Sequence, residues 1–497
     1  MQNKIVTKLL TCALSAGLIL SGCGNTSVSS TETEVTDSAN EADGSTAIGQ
    51  TVSGPARDDI SVNETIENNE DGEHAIEASG KDASYSNVEV IKTGDSDEGD
   101  EADFYGDNAA IFATDGATLD LSEIVVDTNG THANGVFSYG EGTTVNISDS
   151  YITTAGNCSG GLMTTGGGTM NATNLTIETS GNSSAAIRSD RGGGNVTVTG
   201  GDYTTSGTGS PVIYSTADVT VSNATLTSTA SQGVVVEGNN SATLNNVVLN
   251  ADNNTKNSDK SDYYQAVMIY QSMSGDADEG TASFSLKDSI LNNANGDVFF
   301  ITNTVADINI ENSEINNNGD GILLRAAAAG WGNEGSNGGQ VNVNVKNQSL
   351  EGDMSIDDVS AMNLYLGEGA TYSGAINTNG EAGDVYVQLT DGATWTLTGD
   401  SYITALACDA DSINLNGYKL YVNGEEYTEG SESTGDAITL EKATSSGAPD
   451  GGMPEGEAPS GEKPEGNPPS GEKPAGEAPN GEKPEGTPPS NENSNKN

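Results

Sequence analysis

The chain has 497 residues, of which 73 are acidic and 18 basic, for a formal net charge of −55. So little basic surface excludes nucleic acid and an anionic membrane face as partners, because nothing is available to neutralise phosphates. Divalent cations are better suited, although such charge also serves simply to keep a secreted protein soluble. Hydrophobic residues make up 33% and aromatics 5%, too few for one large core and enough for a narrow core repeated along the chain.

At the N-terminus, Lys4 and Lys8 precede an apolar stretch that closes with Leu20-Ser21-Gly22-Cys23. That ending resembles the bacterial lipoprotein signal, which implies removal of residues 1–22 and lipidation of Cys23. The implied location is extracytoplasmic, lipid-anchored to the bacterial cell membrane and exposed at the cell surface. The stretch is short for a membrane-spanning helix. Residues 23–75 are rich in Ser, Thr, Asn and acidic side chains without periodicity, as expected of a disordered spacer.

From residue 76 to 445 a pattern repeats roughly every 23–26 residues, with longer steps at two insertions. One row of short apolar strands includes Ala110-Ile111-Phe112, Gly161-Leu162-Met163, Val234-Val235-Val236 and Val298-Phe299-Phe300. A second row alternates: Leu119-Asp120-Leu121, Val145-Asn146-Ile147, Val196-Thr197-Val198, Ile308-Asn309-Ile310. Strict alternation predicts strands with one face buried and one wet. Two residues after each triplet stands a bend residue, among them Asp149, Asn174, Gly200, Asn223, Asn246, Asp288, Asn312 and Asn347, and then a third short strand. Asn, Asp and Gly tolerate left-handed backbone angles, and stacked asparagines can hydrogen-bond along the stack. Of 13 prolines only Pro211 falls between residues 56 and 448, consistent with uninterrupted sheet. The predicted fold class is all-β, a solenoid of three-stranded coils. Larger aromatics near its end, including Trp395, are expected in the core or in a C-terminal cap. Residues 446–497 consist largely of a Pro/Gly/Glu/Lys decapeptide repeat and read as a disordered tail.

These rows resemble the right-handed parallel β-helix superfamily of pectate lyases, polygalacturonases, autotransporter passengers and surface adhesins. The overall plan is similar to polygalacturonate-binding β-helix lipoproteins, whose distinctive internal motifs are not recognisable here. The resemblance implies an architecture and leaves the function open. The superfamily's hydrolases carry Gly-His-Gly and Arg-Ile-Lys motifs that this chain lacks. A lyase-type base remains in Arg188-Ser189-Asp190-Arg191, where Arg188 and Arg191 offer guanidinium groups to a carboxylated sugar or form an ordinary surface ion pair.

Acidic loops form the candidate metal site. Gly94-Asp95-Ser96-Asp97-Glu98-Gly99, continuing to Asp100, recurs as Gly275-Asp276-Ala277-Asp278-Glu279-Gly280. Carboxylates of Asp95, Asp97, Glu98, Asp100, Asp276, Asp278 and Glu279 would suit calcium, a hard cation that takes six to eight oxygens; solvated acidic loops are the alternative. The insertions, Asp252 to Tyr264 and Ala326 to Gly339, carry Tyr263, Tyr264 and Trp331. Trp331 either stands exposed to stack on a sugar or partner, or folds back as a lid. Cys158 and Cys408 lie far apart along the tube, which excludes a disulfide between them, and read as small buried residues. The expectation is a monomeric, non-catalytic surface lipoprotein that binds polysaccharide or another cell-surface ligand, with calcium as a candidate cofactor. A polysaccharide lyase and a purely structural stalk are the alternatives.

Overall fold

Backbone hydrogen bonds from one coil to the next generate the whole architecture. The computed structural model describes residues 48–441 apart from residues 257, 273, 320, 321, 381 and 382; Cys23 and the decapeptide tail lie outside the described residues. The chain forms an all-β parallel helix. Its first strand row is an 11-stranded sheet running from Ile76–Ser79 to Asp353–Ile356. The second row, starting at Ala83–Ser86, and the third, starting at Glu64–Asn68, belong to a single 22-stranded sheet. They merge because Gly168–Thr179 and Gly194–Thr205 run through the bend as unbroken strands.

The alternation settles which way each residue faces. Leu119, Leu121, Val145, Ile147, Val196 and Val198 are buried inside the tube, and Asp120 between the first two is exposed. Each such burial contributes roughly 1.5–3 kcal/mol. In-register pairing then stacks equivalent residues in columns, as in Leu119↔Val145 and Asp120↔Asn146. The expected bend residues all have positive φ, from 45° at Asn312 to 70° at Gly200. Their amides bond along the column: Asn174 Nδ2 donates to Asp149 Oδ1 (2.7 Å), Asn246 Nδ2 to Asn223 Oδ1 (2.8 Å), and Asn312 Nδ2 to Asp288 Oδ1 (2.6 Å).

The segment read as a spacer differs from expectation in its described part. Residues 48–63 lie along the bend column as a strap. Gly49 N donates to the Asp288 carbonyl (3.0 Å) and Val52 N to that of Asn223 (2.8 Å). Gln50 N donates to Asn246 Oδ1 (2.8 Å) and Gly54 N to Asp202 Oδ2 (3.0 Å). Arg57 then pairs with Asp127 and Glu89 (2.9 Å to Glu89), and the chain enters its first strand at Glu64. A polar, low-hydrophobicity segment is ordered here because the bend column offers it hydrogen-bond partners instead of apolar surface.

At the far end, Ser433–Thr434 pairs antiparallel to Ala405–Cys408, and Leu420–Val422 folds back on Glu425–Glu426. These reversals turn the final sheet edges away from further parallel pairing. Trp395 is fully buried there, stacked on Tyr372 at 5.7 Å, with Nε1 donating to the Gly374 carbonyl (2.9 Å).

The corner from the third row back to the first is the tightest part of each coil. Thr154, Thr179 and Thr205 donate to the carbonyls of Ser159, Ser184 and Ser210 (2.6, 2.5 and 2.7 Å). Those serines in turn accept from or donate to neighbouring coils, as Ser184 N does to Ser210 Oγ (2.9 Å). Gly130, Gly156, Gly181 and Gly207 lie between, each pressed on the coil before it. A Cβ on Gly181 would stand 1.8 Å from the Gly156 carbonyl oxygen. Gly181→Ala is therefore expected to lower the unfolding free energy by about 1–3 kcal/mol. Gly367→Ala, whose Cβ would meet only the Val345 carbonyl oxygen at 3.4 Å, should change it by less than about 0.5 kcal/mol. Urea titration of both variants checks the difference, and equal effects would refute the packing account.

Candidate functional site

The first row is unusual in being apolar on both faces, which is why its strands read as continuous apolar runs instead of alternating ones. Register places one outward column as Phe112, Phe137, Met163, Arg188, Tyr214, Val235, Met268, Phe300 and Arg325. Two covers shield it from water. The short helix Asp100–Tyr105 lies at the end containing Phe112, Phe137 and Met163, where Tyr105 stands edge-on to Tyr139 at 5.9 Å and Gly106, at the left-handed C-cap, is close against Phe112. The two insertions cover Val235, Met268 and Phe300 at the other end.

The insertions act as one wall. Gly330 N donates to the Lys260 carbonyl (2.6 Å), and the Lys260 ammonium lies over the Trp331 ring at 5.7 Å. Trp331 is half-buried, edge-on to Tyr270 at 5.2 Å. It thus folds back over the coil and at the same time lines a cavity with Tyr263, Tyr264, Tyr214 and Tyr270. Tyr263, exposed at its edge, packs on Phe300 (5.5 Å) beneath the Arg325 guanidinium (4.1 Å).

Between the covers, at Arg188 and Tyr214, the outward column carries side chains with polar ends, both of them largely enclosed. A second cavity of about 270 Å³ lies there, lined by Asp103, Phe104, Arg188, Asp190 and Asp276 among others, and it shares Tyr214, Tyr270, Gly209 and Pro211 with the aromatic one. The two form one cleft, charged at the helix end and aromatic at the insertion end. Trp331, Tyr263, Tyr264, Arg188 and Arg191 are separate candidates along the sequence, and the fold brings them to this one face.

Arg188 is enclosed, donating to Asp103 Oδ2 (2.9 Å) and Asp190 Oδ2 (3.0 Å). Burial works against its charge, but the two carboxylates hold it protonated more firmly than an ordinary arginine. It is a cation held between two carboxylates. Arg191 is half-exposed, paired with Asp276 (3.0 Å) and stacked over Phe104 (3.9 Å). Burial tends to raise the Asp103 carboxyl, but Arg188 and the His132 ring hold it below the usual carboxylate range. Asp190 goes the other way: burial, with Asp103 adding to it against the pull of Arg188, pushes it up to about 6. Further along, Tyr214 donates to buried Glu237 (2.5 Å) and meets the Tyr270 hydroxyl at 3.2 Å. Burial drives both phenols well above their usual range.

The acidic loops are used individually. Asp95 Oδ1 accepts from Thr131 N (2.7 Å) and Asp276 from Arg191. Asp97, Glu98, Asp278 and Glu279 are exposed, and the side chain of Asp100 lies outside the described residues. Among the described residues, the group of three side chains whose donor atoms converge is a different one: Asp103, His132 and Cys158, within 4.8 Å of one another. Cys158 is thus no simple buried residue. It is partly exposed at a corner with φ 56°, whereas Cys408 is buried in the cap, and neither forms a disulfide. In the sequence Asp190 stands out only as the carboxylate between Arg188 and Arg191 and Asp103 only as part of the acidic stretch after Gly99, and nothing there assigns a role to His132, Tyr214 or Glu237. The signal was present in the corner motif, where His132 and Cys158 occupy a position that favours Asn or Gly.

No protein-family model, curated protein or solved structure matches the chain.

The raised Asp190 carboxyl has a testable consequence. A group whose pKa is higher folded than unfolded stabilises the fold below its unfolded pKa and loses that contribution as pH rises through its folded value. From about pH 4 to pH 7, Asp190→Asn should therefore gain stability relative to the parent chain. Carboxyl-carbon NMR should show one group titrating near 6 that is missing from the variant. A parallel pH profile for the two proteins would refute the assignment.

Proposed function

We propose that the protein is a non-catalytic glycan-binding lipoprotein of the cell surface, and that the cleft between the helix and the insertions is its binding site. The observation that carries this reading is the composition of the cleft: Trp331, Tyr263, Tyr264 and Tyr270 at one end, and guanidinium and carboxylate groups at the other. Aromatic faces stack on sugar rings, and paired charged groups supply strong donors and acceptors for hydroxyls. The guanidinium groups already have carboxylate partners in Asp103, Asp190 and Asp276, which favours an uncharged sugar over a uronate. The same pairing disfavours the lyase alternative, because Arg188 cannot give up its proton. The cell-surface assignment rests on the lipoprotein signal ending at Cys23.

In affinity electrophoresis against soluble neutral polysaccharides and polygalacturonate, the protein should be retarded by a neutral polymer without shortening it. Trp331→Ala or Tyr264→Ala should weaken retention by about 2–10-fold, the scale of one stacking contact. No retardation by any polymer, retention unchanged in the double variant, or release of unsaturated uronides would each overturn the reading. Cys23→Ala should abolish metabolic lipid labelling and shift the protein from membrane to medium; a membrane-retained variant would refute the anchor.

A further inference from the structure

We infer that Asp103, His132 and Cys158 form a binding site for a divalent transition metal of the zinc type, independent of the glycan reading. The repeat brings His132 and Cys158 together. His132 (φ 57°) and Cys158 (φ 56°) occupy the same left-handed corner position in successive coils, where the next coil has Ser183 (φ 55°). Equivalent positions in a parallel stack lie about 4.8 Å apart, so a His and a Cys placed there must share one location. The helix inserted at Asp100–Tyr105 supplies the third donor, Asp103, only 2% exposed.

Geometry and chemistry favour a metal over the alternatives. His132 Nδ1 lies 3.1 Å from Asp103 Oδ1, and all three donor atoms lie within 4.8 Å of one another. Donors around a tetrahedral ion with bonds of about 2.0–2.3 Å stand roughly 3.3–3.7 Å apart, so small side-chain adjustments suffice. A thiol-imidazole-carboxylate relay would need the ring between sulfur and carboxylate, whereas here those two groups adjoin. Sulfur and nitrogen donors suit zinc and its neighbours and not calcium. The outer surroundings are built as metal sites require: Arg188 holds Asp103 Oδ2 (2.9 Å), leaving Oδ1 toward His132, and Asp190 holds Arg188 in turn (3.0 Å). On binding, Cys158 loses its thiol proton to solvent and sulfur bonds to the ion. Thiolate and carboxylate then balance its two charges, and solvent takes the fourth position.

The test uses the full chain with Cys12 and Cys23 changed to Ser, so that Cys158 and Cys408 are the remaining thiols. Zinc titrated calorimetrically should bind with a stoichiometry of one and release a proton. Cobalt(II) should give thiolate-to-metal charge-transfer absorption. Cys158→Ser should abolish that absorption, and His132→Ala should weaken zinc binding by more than the roughly 10–100-fold of an outer-shell change. Cys408→Ser and Asp95→Asn should alter neither. Thermal melts without metal establish that each variant folds, and Cys158→Ala serves if the serine variant does not. Absence of zinc binding in the folded parent chain, or binding that survives both Cys158→Ser and His132→Ala, would overturn the site.

Discussion

Every coil of this protein must find its backbone partners in the coils above and below, about 4.8 Å away, and the rest of the structure follows from that spacing. Side chains at equivalent positions are forced into columns, and a column must be made of residues that tolerate their own kind as neighbours. Inside the tube, Val, Ile and Leu satisfy this by packing. At the bend, Asn and Asp satisfy it because an amide can donate to the next amide or carboxylate, as Asn246 does to Asn223. At the opposite corner the approach is so close that Gly130, Gly156, Gly181 and Gly207 are required, each facing a carbonyl of its predecessor. Stability is thus distributed along the solenoid through neighbouring-coil terms.

The same rule explains why a site exists where it does. An outward column that is apolar in most coils cannot be left in water over its whole length. The helix at Asp100–Tyr105 protects one part and the paired insertions another. Between the two covers, at Arg188 and Tyr214, the column changes from Phe and Met to side chains with polar ends, Arg188 held by Asp103 of the helix and Tyr214 by Glu237 and Tyr270. The change in residue type and the boundary between the covers coincide, and the cleft lies there.

Enclosing Arg188 carries an electrostatic cost that two carboxylates offset, since a lone buried charge would be strongly destabilising. The three groups share the arrangement unequally. Asp103, with Arg188 and His132 against it, stays ionised, while Asp190, buried beside another carboxylate, holds its proton more readily. The same network orients Asp103 toward the corner where His132 and Cys158 stack, which links the charged end of the cleft to the converging donor group.

The repeat, the strand rows, the inward residues and the bend positions were all legible in the sequence, because each depends on periods of two along a strand and of one coil along the chain. Trp331, Tyr263 and Tyr264 were legible as candidates because the insertions break that period. Tertiary structure alone decided that they share a face with Arg188 and Arg191, since residues 252–264 and 326–339 meet only through a contact such as Gly330 with Lys260. It also decided that Arg188 is enclosed, that Asp276 serves Arg191, and that residues 48–63 lie along the bends. A pattern within one coil shows which way a residue points. What covers it depends on segments outside the repeat, whose partners no period specifies.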